Sequence, residues 1–106
     1  MQEITAMLLS HIEHYLTPEG VKLFPSWYAE LKQLFLKQDG FINIKYAYDP
    51  DDASCIHIWT EFSDEEKAEK WAQSQLKIDI QARLDPFRIK PMLVMRYELV
   101  DYSKSS

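Results

Sequence analysis

The stretch from Phe41 to Ser74 constrains this chain most, because its residue pattern describes a tight pair of strands running into a capped helix. Phe41–Tyr48 (FINIKYAY) and Cys55–Phe62 (CIHIWTEF) are dense in β-branched and aromatic residues, which suit a pleated, half-buried backbone. Between them Asp49-Pro-Asp-Asp-Ala-Ser54 gathers turn-forming side chains, so a β-hairpin is predicted. Ser63-Asp-Glu-Glu66 follows in the form of a capping box: the Ser63 hydroxyl is placed to accept a helical N–H, Glu66 to reach back, and the acidic charge to meet the positive helix end. A helix is predicted to start there.

The flanking segments complete the pattern. Ile4–Leu16 is apolar with late polar alternation and reads as a central strand. Thr17-Pro-Glu-Gly20 interrupts it, after which Phe24, Trp27, Tyr28, Leu31, Leu34 and Phe35 recur at helical spacing up to Gly40. Pro25 lies within that run, so the regular helix is predicted to begin at Pro25 or Ser26, where a missing N–H costs nothing. Downstream, Ala68, Trp71, Ala72, Leu76, Ile80 and Leu84 form the buried stripe of a second helix, kinked near Ser74 and ended by Asp85-Pro86. Met92–Val100 is the last strand and 101–106 a polar tail.

The order strand, helix, strand, strand, helix, strand predicts a ferredoxin-like α+β sandwich. Its four-stranded antiparallel sheet carries two helices on one face, in a single domain over 1–106 with its core at 4–100. Pairing Tyr46 with Ile56 or Ile58 collects Ile42, Ile44, Tyr46, Ile56, Ile58 and Phe62 on one apolar face, whereas a one-residue slip mixes the faces. The opposite face then carries Asn43, Lys45, His57, Trp59 and Glu61, joined from the neighbouring strands by His11, Glu13, Arg96 and Glu98. A tryptophan among paired charges has the composition of an interface.

Composition removes several function classes. At 106 residues with a net charge of −5 and no run of Lys or Arg, the chain lacks the basic footprint of a nucleic-acid binder. Its apolar runs fall short of a bilayer span and no signal-peptide plan opens it, so a cytoplasmic protein without membrane contact is expected. The single cysteine, Cys55, rules out an internal disulfide or a thiolate cluster within one chain, and the glycines number two, too few for a phosphate-cradling loop.

Asp39-Gly40-Phe41 entering the second strand, the acidic turn, the junction Glu61-Phe-Ser-Asp-Glu-Glu66 and Trp71-Ala-Gln-Ser74 together resemble the dimeric α+β barrel superfamily, and within it the antibiotic-biosynthesis-monooxygenase-type domain, over Ile4 to Val100. The resemblance implies a homodimer closed sheet face to sheet face, with a small pocket between sheet and helices in each subunit. It also implies a cofactor-free oxygenase that helps an aromatic or quinol-type substrate lose a proton, so that the anion itself reduces dioxygen. No flavin or metal is implied. Haem-degrading members share a tryptophan that matches Trp71, but the histidine expected ten residues later is Gln81 and the first-strand asparagine is missing, the only Asn being Asn43. The non-catalytic alternative is a dimeric module that binds a small ligand or serves assembly.

Trp27, Tyr28, Tyr46, Trp71 and Tyr97 are the expected pocket residues, as a flat slot for an aromatic ring or simply as core packing. His57 and Tyr97 are the catalytic candidates, the imidazole as acid or base and the phenol as an orienting hydroxyl. Strand parity turns His57 toward the sheet–sheet side, while His14, of opposite parity to His11, faces the pocket entrance. His11, Glu13 and His57 can converge on neighbouring strands, but the spacing is common and reveals no supporting residues, so neither a metal nor any other cofactor is assigned.

Overall fold

The computed structural model describes residues 7–100. Its elements are β1 (Met7–Leu16), α1 (Pro18–Phe35), β2 (Phe41–Tyr48), β3 (Cys55–Phe62), α2 (Glu65–Ala72), α3 (Gln75–Ala82), a single 3-10 turn (Asp85–Phe87) and β4 (Arg88–Leu99). The strands form one antiparallel sheet in the order β2-β3-β1-β4. This is the ferredoxin-like α+β arrangement expected from the sequence, with the second helix divided in two. The start of the first strand at Ile4–Ala6 and the tail at 101–106 lie outside the described residues.

The central register sets the two faces. Ile12 of β1 lies opposite Ile58 of β3, and His14 opposite Ile56, on the helix side. His11 opposite Trp59 and Glu13 opposite His57 share the other side. Tyr46 pairs with Ile58 and Lys45 with Trp59, which is the unmixed register. The core is a cluster between sheet and helices in which Leu16, Phe24, Trp27, Ile56, Ile58 and Leu84 are at most 1% exposed. Burying each such large side chain contributes about 1.5–3 kcal/mol before entropy is counted.

Several local expectations change. The first helix begins at Pro18, not at Pro25 or Ser26, because Thr17 caps it by accepting the Gly20 N–H and Pro18 occupies the first turn. Pro25 is thus inside the helix, held there by the buried rings of Phe24 and Trp27 on either side. At the next helix the cap is Asp64, which accepts from the Lys67 N–H, while the Ser63 hydroxyl is buried without a partner. The kink near Ser74 is a full break, since the Ser74 side chain accepts from Lys77 N–H and starts α3. Leu76, assigned to the buried stripe, is exposed after that break.

In the sheet, a register shift between Phe41 and Asn43 turns Ile42 out to solvent. The last strand also runs from Arg88, four residues earlier than its apolar core suggested. Its parity is the reverse of that expected: Leu9 faces Tyr97 and His11 faces Met95 on the outer side, whereas Arg96 pairs with Ser10 and Glu98 with Leu8 on the helix side.

Trp27 ties α1 to α3, its indole Nε1–H donating to the Ile80 carbonyl at 2.8 Å in the buried core. Trp27→Phe keeps most of the apolar surface but removes the indole donor and part of the ring volume, the Ile80 carbonyl keeping only the Arg83 N–H at 3.3 Å. The expected loss is about 1–3 kcal/mol, read as a lower urea midpoint at unchanged slope.

Candidate functional site

A cleft opens between the sheet and the helices, with Ile12, Ile58 and Thr60 as its floor and Leu31, Trp71 and Lys77 among its walls. Its enclosed part measures about 50 Å³, room for a few waters. Lys77 and Gln81 also line a wider surface cleft beside Arg88 and Met92, so the two spaces adjoin across these side chains. Arg96 reaches the cleft from β4 and pairs with Glu69 at 3.4 Å.

Of the aromatic residues expected in the pocket, Trp71 lines the cleft and packs on Phe35 with ring centroids 4.7 Å apart. Trp27 is committed to the Ile80 carbonyl, and the Tyr28 hydroxyl donates to the Ile44 carbonyl at 3.2 Å. Tyr46 packs at a tilt against Tyr28, with ring centroids 4.4 Å apart, and against Phe24 at 5.1 Å, so these three rings wall the α1–β2 side of the core. Tyr97 is on the outer face, half exposed, on the far side of the sheet from Trp71. The lining residues that pattern reasoning overlooked are polar: Ser10, Thr60, Lys77, Gln81 and Arg96. Lys77 follows the helix break by three residues, and that capping serine was the available signal.

Lys77 forms no ion pair among the described residues. Burial, followed by the nearby Arg96 and Arg88, holds its ammonium pKa below the usual lysine value, with Glu69 opposing. His14 is fully buried and its Nδ1 accepts from Arg88 Nη1 at 3.0 Å, while Arg88 also donates to Asp85 and Gln81. Its Nε2 has no partner, and burial, then Arg88 and Lys77, push its pKa down to about 3. His14 is therefore a neutral core residue that positions Arg88.

The outer face carries a second polar group. His57 Nε2–H donates to Asp49 Oδ2 at 2.8 Å, and Asp49 is itself fixed by accepting the Asp51 N–H on Oδ1. That assigns His57 Nδ1 as acceptor, at 2.8 Å from His11 Nε2. Glu13 Oε2 lies 3.8 Å from His57 Nδ1 and 4.0 Å from His11 Nε2, and its other oxygen accepts from the Tyr15 hydroxyl. Trp59 lies over the pair, parallel to His11 at a centroid distance of 4.8 Å. Burial, then His57, lowers the His11 pKa against the pull of Glu13; the His57 hydrogen bond lowers that of Asp49. Cys55, 3.7 Å from His57 Nε2, is held as a thiol by burial.

No protein-family model and no curated protein matches this sequence. Solved structures do match in shape. A conserved protein from Methanosarcina mazei Go1 superposes with a TM-score of 0.82 at 18% identity, over 91% of this chain and 95% of that one. A structure described as an antibiotic biosynthesis monooxygenase gives 0.77 at 13% identity, over 89% and 99%. A Deinococcus radiodurans protein provisionally given the same description reaches 0.81 at 11% identity, over 93% and 98%. The ferredoxin-like α+β fold is the one these structures share, those described as antibiotic biosynthesis monooxygenases among them. At these identities the likeness concerns this fold alone, and the chemistry has to be argued from the side chains. Among the described residues no helix is long and apolar enough to cross a membrane.

The buried His14 has a consequence for acid stability. Its folded pKa of about 3 lies below the ordinary 6.5, so the unfolded chain binds the extra proton. Its contribution is complete above pH 6.5 and is lost as the pH falls toward 3, by up to about 1.4 kcal/mol per unit. Between pH 6.5 and about 5, above the range where ordinary carboxylates titrate, urea midpoints of the wild type should fall more steeply than those of His14→Leu. Parallel pH profiles would show that folding does not depress the His14 pKa.

Proposed function

We propose that the protein is a cofactor-independent oxygenase of a small aromatic phenol or quinol, acting as a homodimer in the cytoplasm. The substrate ring lies beside Trp71 and its oxygen meets Lys77 and Arg96. The observation that supports this reading most is Lys77, an unpaired, half-buried ammonium at the rim of an apolar cleft. Such a cation stabilises a phenolate, and its lowered pKa increases the neutral fraction able to take the phenolic proton. Ser10, Thr60 and Gln81 add hydroxyl and amide groups for a second substrate oxygen. Once deprotonated, the electron-rich ring reduces dioxygen directly; one oxygen atom enters the product as a carbonyl and the other leaves as water. Tyr97 and His57 face away from this cleft, and their roles in this reading belong to the dimer interface.

The dimer is inferred from the outer sheet face. Leu93 and Tyr97 are 51% and 49% exposed there, beside the partly covered Trp59 and Met95. A partner sheet laid on this face would remove them from water, with a standard interface of about 800 Å² per partner.

Two measurements test these statements. Lys77→Met should lower oxygen uptake with hydroquinones or anthrones by roughly a hundredfold or more, with melting temperature and far-UV spectrum retained, and Trp71→Phe should raise KM more than it lowers kcat. If the wild type consumes no oxygen with any of these compounds yet is stabilised by them, the protein is a binding module. In light scattering the wild type should be dimeric at micromolar concentration, and Trp59→Arg should shift it toward monomer; a stable wild-type monomer would remove the barrel from the proposal.

A further inference from the structure

The cluster on the outer face has a use outside the cleft. We propose that His11 Nε2, Glu13 Oε2 and His57 Nδ1 form a binding site for one divalent first-row transition-metal ion of the zinc type. Two imidazoles and a carboxylate suit zinc, iron(II), cobalt or nickel and do not suit calcium or magnesium, which take oxygen ligands. Spacing along the sequence could not recommend this site, since any two central strands bring such residues together. What the structure adds is the layer behind the ligands.

That layer fixes two of the three ligand atoms, His57 Nδ1 and Glu13 Oε2, in the form a metal requires. Asp49 accepts from His57 Nε2–H, so the lone pair of His57 is on Nδ1, facing the centre of the cluster. A carboxylate behind a ligating histidine raises its basicity and holds its ring. Asp49 is in turn held by the Asp51 N–H. The Tyr15 hydroxyl occupies Glu13 Oε1 and leaves Oε2 toward the imidazoles. His11 needs only to move its proton from Nε2 to Nδ1, a change of tautomer without change of charge.

The distances fit a small adjustment. The ligand atoms are separated by 2.8, 3.8 and 4.0 Å. Zinc with bonds of about 2.0–2.1 Å needs tetrahedral ligand separations of about 3.3–3.4 Å. The imidazoles therefore spread, and Glu13 closes in, by about 0.5 Å each. Three protein ligands leave a further position for water. The charge also calls for a cation: Glu13 and Asp49 are carboxylates around two imidazoles, and among the described residues the nearby basic side chains are Lys90, over the Tyr15 ring at 4.1 Å, and the exposed Lys45 opposite Trp59.

A competing set, Asp49, Cys55 and His57 through Nε2, overlaps this one. It would require a thiolate where burial and three surrounding carboxylates favour the thiol, and it would break the Asp49–His57 hydrogen bond. The site lies on β1 and β3 of one chain with Asp49 from the hairpin turn, so it takes no ligand from a second copy and stands independently of the oxygenase reading, although it lies on the face that the proposed dimer covers.

The test uses the chelator-treated full chain titrated with zinc and with cobalt(II). Calorimetry should show one zinc per chain, and cobalt should give a visible absorption band that zinc removes. His11→Gln, Glu13→Gln and His57→Gln should each weaken binding about a hundredfold or more, Asp49→Asn by about 10–100-fold as a supporting residue, and Cys55→Ser not at all. Nitrogen-15 spectra of the wild-type imidazoles give a reading that needs no variant: zinc should shift His57 Nδ1 and His11 Nε2. Absence of saturable binding would overturn the proposal, as would zinc on His57 Nε2 or loss of binding in Cys55→Ser.

Discussion

The register between β1 and β3 is the constraint on which the rest of this molecule depends. With Ile12 opposite Ile58 and His14 opposite Ile56, the apolar edge of each central strand faces the helices, and His11, Glu13, His57 and Trp59 face away. A slip of one residue in β1 would bring Glu13 and Tyr15 into a core whose floor residues Ile56 and Ile58 are fully buried. An unpaired carboxylate there costs several kcal/mol, a large share of the net stability of a small domain. Helix packing and sheet pairing therefore select the same register, which is the consistency expected of a sequence with one fold.

The two side-chain clusters gather opposite charge, although each face of the sheet is mixed, with Glu98 on the helix side and Lys45 on the outer side. On the helix side Lys77, Arg88 and Arg96 cluster around the adjoining clefts, and neutral His14 accepts a hydrogen bond from one of them. On the outer side Glu13 and Asp49 surround the imidazole pair. A sheet about one side chain thick on each face separates these fields, so each keeps its own chemistry. The helix side favours an anion next to an apolar ring, and the outer side, with its two carboxylates, favours a cation. Both are low-exposure sites, where such preferences are screened less than on an open surface.

Much of the architecture was legible in the residues. The hairpin, the alternation of β3, the helical stripe ending near Phe35 and the break at Ser74 follow from periodicity and turn chemistry, and all appear in the structure. The parity of β4 was not legible, because Leu93, Val94 and Met95 are apolar in succession and its register is set only by pairing with β1. Pro25 misled for a related reason: local preference favours a helix start there, yet the buried rings around it and the Thr17 cap outweigh that preference. The cleft was read through its aromatics, but Tyr28 and Tyr46 are drawn together as core rings and Tyr97 goes with the parity of its strand. Lys77 and Gln81 stand one turn apart on α3, but Arg96 comes from β4, and nothing along the chain marks the convergence of these two elements.

The cleft and the outer cluster nevertheless share a backbone. Ser10 and Ile12 of β1 line the cleft, while His11 and Glu13, alternating with them, hold the outer group; on β3, Ile58 and Thr60 alternate with His57 and Trp59 in the same way. A ligand on either face therefore resists separation of the same two strands. A single site at a hundredfold excess over its dissociation constant adds about 2.7 kcal/mol to stability, comparable with burying one large apolar side chain. The two sites need no contact for this. Because the sheet pairing is what both would reinforce, a ligand held by His11, Glu13 and His57 would also steady Ile12, Ile58 and Thr60 on the other side of the same two strands.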